Sequence, residues 1–192
     1  MIPLSIGFDW DDVIMPWYDP AVAVCVAAGL HRSGKPVTQW AQHEDLGCTH
    51  EEWIAALDVA TESGALYDTV PFPGAVEAMR KLYWAGHFIH IVTARGTFHG
   101  NRHNDRIHEI TRQQVEDFAV PHHSLTFTRD KASVPTDYFI DDNLKNYENL
   151  RQAGVNAYLL NRPWNQYAHV RNDHRIDTVD EFVDLILTQE AA

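Results

Sequence analysis

A chain of 192 residues with 15 Lys and Arg against 27 Asp and Glu has a formal charge of −12, which argues against a polynucleotide partner, because backbone binding depends on many cationic contacts. The length suits one domain, or one domain with an insertion, burying roughly 70% of its unfolded surface. The longest apolar stretch, Ala21 to Leu30, is too short for a bilayer crossing of about twenty residues, no Lys or Arg precedes Arg32, unlike a secretory signal, and Cys25 and Cys48 lack metal-motif or disulfide-framework spacing. The expectation is a cytoplasmic protein with reduced, buried thiols, no membrane partner and no polynucleotide.

The first apolar run, Leu4 to Phe8, predicts a strand that finishes in Asp9-Trp10-Asp11. Residues i and i+2 share a strand face, so both carboxylates can converge on one ligand if the extended geometry persists, at the sheet edge where open α/β folds build their sites. From about 15 to 70 the pattern turns helical, with Asp19 to Ala28 and Glu51 to Glu62 as helices and Gly34-Lys35-Pro36 as a loop between them. A helix over Ala75 to Ala85, stopped by Gly86, precedes a strand over Phe88 to Val92 that runs into Thr93-Ala94-Arg95-Gly96. Thr93 can donate to a phosphoryl oxygen and Arg95 can meet it as a fork. There follow a helix over about Arg106 to Phe118, stopped by Val120-Pro121, and a strand over Ser124 to Phe127 with Lys131 just beyond it. A strand over Tyr138 to Ile140 then ends in Asp141-Asp142, before a helix over Leu144 to Ala153, a stop at Gly154 and a strand over Ala157 to Leu160. This alternation predicts an α/β, Rossmann-like parallel sheet with helices on both faces. The core would comprise 1–14 and 71–192, and 15–70 would be a small helical cap inserted after the first strand.

Four carboxylates at two strand ends repel one another, whereas Mg²⁺ takes oxygen ligands and bridges carboxylates to substrate phosphate. Lys131 could neutralise charge on both. Asp9-Trp10-Asp11, Thr93, Lys131 and Asp141-Asp142, in this order and each after an apolar run, resemble the four motifs of the haloacid dehalogenase superfamily of phosphohydrolases. The likeness covers nearly the whole chain, since Pro71-Phe72-Pro73-Gly74-Ala75 is similar to the re-entry from a cap. More narrowly, Leu160-Asn161-Arg162-Pro163-Trp164-Asn165 is similar to an ending in the 5′(3′)-deoxyribonucleotidase, or cytosolic type C 5′-nucleotidase, branch.

The resemblance implies Mg²⁺ as cofactor, Asp9 as the nucleophile that forms an aspartyl-phosphate, and Asp11 as general acid and then base. It places Thr93, Ala94, Arg95 and Lys131 on the phosphate, and Asp9, the Asp11 main-chain carbonyl and the second acid pair on the metal. Asp142 is the choice for direct ligand, with Asp141 supporting through water or the lysine; the order could be reversed. The family usually has Gly where this chain has Asp12. Asp tolerates positive φ better than most residues, and a helix amino-terminal cap is the preferred reading of Asp12 over a third acidic site residue.

Trp17 stands eight positions after Asp9, where the deoxyribonucleotidases carry an aromatic that stacks on the base at about 1–3 kcal/mol. Trp40 and Trp53 are expected to pack the cap's own core. Zinc is not expected, although His99 and His103 have helical spacing and His122-His123 adjoin Pro121; the stretch from His99 to His108 reads as a polar loop and helix start beside Arg95, in reach of sugar or phosphate. The expected function is a Mg²⁺-dependent phosphomonoesterase on a nucleoside monophosphate, deoxy by resemblance. Alternatives are a sugar-phosphate phosphatase of the same mechanism, transfer to an acceptor other than water, and a catalytically quiet binding domain, against which Asp9, Asp11, Thr93, Lys131 and Asp142 together speak. A homodimer stays open.

Overall fold

The computed structural model describes residues 2–97 and 101–190; His99 lies outside them. Six parallel strands form the sheet: β1 (Ser5–Phe8), β2 (Phe88–Thr93), β3 (Ser124–Phe127), β4 (Tyr138–Asp141), β5 (Asn156–Leu160) and β6 (Arg175–Ile176), in the order β3-β2-β1-β4-β5-β6. The chain winds outward from β1 through β2 to β3, then returns to the other flank of β1 with β4. That reversal makes the carboxyl ends of β1 and β4 neighbours, and a crevice at such a switch point is where open α/β sheets bind ligands. Phe8 pairs with Ile140, so Asp9 and Asp141 leave the sheet side by side.

Alternation along the strands sorts apolar side chains to two faces. On one, Ile6, Phe8, Ile89, Ile91 and Ile140 pack under Val76, Met79 and Leu82 of α4 (Ala75–Trp84) and Phe182, Val183 and Ile186 of a terminal helix, Val179–Glu190. On the other, Val92, Phe139, Ala157 and Leu159 meet Tyr147 and Leu150 of Leu144–Gln152. Each fully buried side chain of this size contributes about 1.5–3 kcal/mol. The predicted sheet with helices on both faces is therefore observed. Gly7 has a steric reason to lack a side chain: a Cβ there would lie 2.2 Å from Cδ2 of Phe139, whose ring crosses it from β4.

Residues between β1 and α4 hold α1 (Tyr18–Ala27), α2 (Gln42–Leu46) and α3 (His50–Ser63), then a 3₁₀ turn, Ala65–Tyr67. They bury their own cluster, including Ala21, Cys25, Leu46, Leu57, Ala60 and Leu66, and it is completed by Ile107 of α5 (Asn104–Asp117) in the core. In chain order the remaining helices are α6 (Leu144–Gln152) and α7 (Val179–Glu190). The α3 helix starts one residue before the predicted Glu51, because Thr49 and Glu52 form a reciprocal capping box. After α5 it is Ala119, with φ 46°, rather than Pro121, that turns the chain. No described helix is long and apolar enough to cross a membrane.

Candidate active site

The strand β1 ends at Phe8, and the Asp9 N–H, donating to Ile140 O at 3.0 Å, ties the following loop to β4. The chain then bends: Asp12 has φ 56° and its N–H donates to Met15 O at 2.7 Å. The extended geometry expected through Asp11 is therefore lost, and the two acids serve different cations.

Asp9 turns to Lys131, whose Nζ sits 2.6 Å from Asp9 Oδ2 and 2.7 Å from Asp141 Oδ2. Lys131 opens a short 3₁₀ turn, Lys131–Ser133, four residues beyond the end of β3. Asp141 is fully occupied, because its Oδ1 accepts from Asn143 N at 2.8 Å and Asn146 Nδ2 at 3.2 Å. Asp142 differs. Its Oδ2 accepts from the Trp164 indole at 2.9 Å, and among the described residues Oδ1 accepts nothing.

Asp9, Asp141 and Asp142 are all buried and offer oxygens within 4.8 Å of one another. Three buried carboxylates crowd around one ammonium. Burial pushes Asp9 up to about 7, with Asp141 and Asp11 adding to it and Lys131 opposing. Asp142 is also raised, by burial first and then by Asp141 and Asp9. Burial works against the Lys131 charge, but Asp141 and Asp9 outweigh it and hold the ammonium above its ordinary range. A compact, all-oxygen, anionic donor set of this kind fits a hard divalent cation. Among the described residues no histidine joins a metal-ligating group; His122 and His123 bond backbone at Val120 and Ile89, at the opposite edge of the sheet.

Asp11 turns to Arg95, in the loop after β2. Nε donates to Asp11 Oδ1 at 2.7 Å, and Nη2 lies 2.6 Å from the same oxygen as an ion pair rather than a second hydrogen bond. The guanidinium expected to face phosphate is thus engaged by Asp11, and Nη1 donates to Gln114 Oε1 at 2.8 Å while the group lies 4.8 Å over the Tyr67 ring. Thr93 Oγ1 accepts from Arg95 N at 3.1 Å, and the Ala94 carbonyl accepts from the Thr97 hydroxyl at 2.6 Å. His108 approaches the same turn, its Nε2 lying 3.2 Å from Arg95 O.

Asp12 holds the start of α1, its carboxylate accepting from Trp17 N and Tyr18 N. It caps from outside the helix, at a positive φ of 56°. Burial raises it to about 6, opposed by those two amides. Trp17, whose N–H is held by the Asp12 carboxylate, packs edge-on to Trp53 with ring centroids 6.5 Å apart. Trp53 joins the insertion's core as expected. Trp40 does not: it is 57% exposed and meets Trp164 instead. The residues that sequence reasoning missed are Gln114, Asn143, Asn146 and Trp164, all polar partners of the charged groups. Only Trp164 had a signal, as part of a motif already singled out.

The family model described as 5′ nucleotidase, deoxy (pyrimidine), cytosolic type C protein matches residues 3–192. The chain belongs to this family. A Bacillus cereus protein named "Putative nucleotidase" is 27% identical over 205 residues, 95% of this chain and 98% of that one. Among solved structures, a haloacid dehalogenase-like hydrolase from Streptococcus pneumoniae is 12% identical with a TM-score of 0.60 over 96% of this chain and 98% of its own. The D,D-heptose 1,7-bisphosphate phosphatase from Burkholderia thailandensis is likewise 12% identical, with a TM-score of 0.55 over 95% and 97%. These likenesses show the fold; membership in the type C nucleotidase family makes the chain a phosphohydrolase of the haloacid dehalogenase superfamily.

Proposed function

We propose that the protein hydrolyses deoxyribonucleoside monophosphates with Mg²⁺ through an aspartyl-phosphate on Asp9. One observation carries the reading: Lys131 bridges Asp9 and Asp141 beside an Asp142 that keeps an oxygen in reserve. Asp9 would attack phosphorus, the ester P–O bond would break, and Asp11 would protonate the departing sugar oxygen. Water would then attack the acyl-phosphate, giving its proton to Asp11 and releasing phosphate from Asp9. Lys131 supports the first step by neutralising the nucleophile's pocket, and Thr93 by offering its hydroxyl at the end of β2. The residues that would hold Mg²⁺ are Asp9, the Asp11 carbonyl and Asp142, with Asp141 held back by Lys131, Asn143 and Asn146. When bound, the ion supplies positive charge to the phosphoryl oxygens.

The insertion over 15–70 acts in this reading as the cap, and Trp17 as the base platform at its entrance. A cytosolic location accords with the family's description. The test is a substrate profile with Mg²⁺ and with EDTA, on wild type and Asp9→Asn. Deoxyribonucleoside monophosphates should be the best substrates, EDTA should silence them, and Asp9→Asn should retain under about a hundredth of the rate, since loss of the covalent step costs several kcal/mol. Preference for sugar phosphates would move the substrate class. Turnover by Asp9→Asn would remove the nucleophile.

A further inference from the structure

The segment after β5 reaches both acid loops. Arg162 donates from Nε and Nη2 to Asp12 O at 2.8 and 2.6 Å, and Asn165 Nδ2 donates to the carbonyls of Asp142 and Leu160, each at 2.8 Å. Between these two backbone clamps stands Trp164. Its indole Nε1 donates to Asp142 Oδ2 at 2.9 Å, while its ring stacks on Tyr18 of α1, with centroids 4.1 Å apart and planes inclined by 22°. Tyr18 is itself fixed at both ends, by its hydroxyl donating to Gln39 O at 2.6 Å and its N–H donating to the Asp12 carboxylate.

We propose that Trp164 is a positioning residue for the metal site, its N–H fixing the Asp142 carboxylate so that Oδ1 faces the cation, and its stack on Tyr18 fixing the indole. The inference rests on the proposed role of Asp142 as a Mg²⁺ ligand. An aspartate side chain has two torsions, and a hydrogen bond to one oxygen sets both while leaving the other oxygen available. Asp141 is oriented differently, its carboxylate held by Lys131, Asn143 and Asn146 rather than by an indole. Partners that orient a ligating carboxylate typically change metal affinity by about 10–100-fold when removed. The arrangement also makes the insertion a structural support of the cation site, because the ring behind Trp164 belongs to α1.

Trp164→Phe keeps an aromatic face for Tyr18 and deletes only the donor. The measurement is Mn²⁺ binding to the metal-free protein, with free ion counted by its paramagnetic resonance, on wild type, Trp164→Phe, Asp142→Asn and the double variant. Trp164→Phe should weaken Mn²⁺ by about ten-fold or more, while its melting temperature in EDTA stays within about 2 °C of wild type. In the Asp142→Asn background the same substitution should change binding no further, since its effect runs through that carboxylate. Wild-type affinity in Trp164→Phe alongside weak binding in Asp142→Asn overturns this inference and leaves the ligand reading intact. Wild-type affinity in Asp142→Asn removes both. If Trp164→Phe melts early, Tyr18→Leu repeats the test by loosening the indole from behind, and unchanged Mn²⁺ affinity there overturns the inference.

Discussion

Lys131 and Arg95 are both buried cations held by aspartates, yet they draw on different parts of the molecule. Every partner of Lys131 comes from the sheet: Asp9 after β1 and Asp141 at the end of β4. Arg95 is shared. Asp11 and Gln114 hold it from the core, but its face lies on Tyr67 of the insertion, and Gln114 Nε2 donates to the Tyr67 carbonyl at 2.7 Å. The surroundings of Asp9 are therefore set by the strand ends, whereas those of Asp11 also draw on Tyr67, in the stretch between β1 and α4.

The comparison breaks most sharply at the lysine. Lys131→Met would strand Asp9 and Asp141 without their counter-charge, and removing one partner from a buried ion cluster costs about 3–5 kcal/mol. Denaturant unfolding should show a loss of that order together with loss of activity; a variant as stable as wild type would mean that the two carboxylates are not charged together. At the arginine the expected effect is chemical before it is structural. Arg95→Met should lower kcat on a nucleotide by about 10–100-fold, within the range that general acid catalysis supplies, and leave p-nitrophenyl phosphate much less affected, because nitrophenolate departs without a proton. Equal losses on both substrates would detach Arg95 from Asp11's chemistry.

A smaller effect is expected one step outward. Trp17→Ala should raise KM for the best nucleotide by roughly ten-fold, from a lost stack of about 1–3 kcal/mol, and change KM for p-nitrophenyl phosphate much less. Parallel changes would return Trp17 to a packing role beside Trp53. The gentlest probe is pH. Asp9 and Asp12, raised by burial to about 7 and about 6, bind protons more tightly folded than unfolded, where aspartate titrates near ~4. Their contribution to stability is present below that ordinary value and is lost as pH rises through 6 and 7. The melting temperature of the metal-free protein should carry this fall between about pH 4 and 7, and Asp9→Asn should show a shallower one. Parallel curves for the two proteins would contradict the assignment to Asp9.

What was legible in the sequence follows the same divide. The acid pairs and Thr93 follow apolar runs directly and Lys131 comes four residues after one, so strand periodicity together with the resemblance pointed to one edge of a parallel sheet. The partners did not announce themselves. Gln114 lies within α5 and Asn146 within α6, where polar residues recur every turn and nothing in the spacing marks the one that faces inward. The pairing of Arg95 with Asp11 was not legible either, because the two residues are 84 positions apart and belong to motifs read separately. Helix α7 was readable in principle, since Val179, Phe182, Val183 and Ile186 repeat at helical intervals. Trp40 shows the opposite failure: an aromatic in an apolar-looking insertion was assigned to its core, and it lies on the surface against another element's ring.

The crossing of Phe139 over Gly7 sets a tolerance for the whole edge. The gap between β1 and β4 is gauged by an aromatic ring lying flat where a side chain would otherwise stand, two residues before Asp9 and two before Asp141. Any side chain at position 7 acts as a wedge at the root of the two acid loops, so a change far from solvent, touching no charged group, would be felt first as a misaligned pair of carboxylates. The smallest residue in the strand is in this sense the ruler by which the site is spaced.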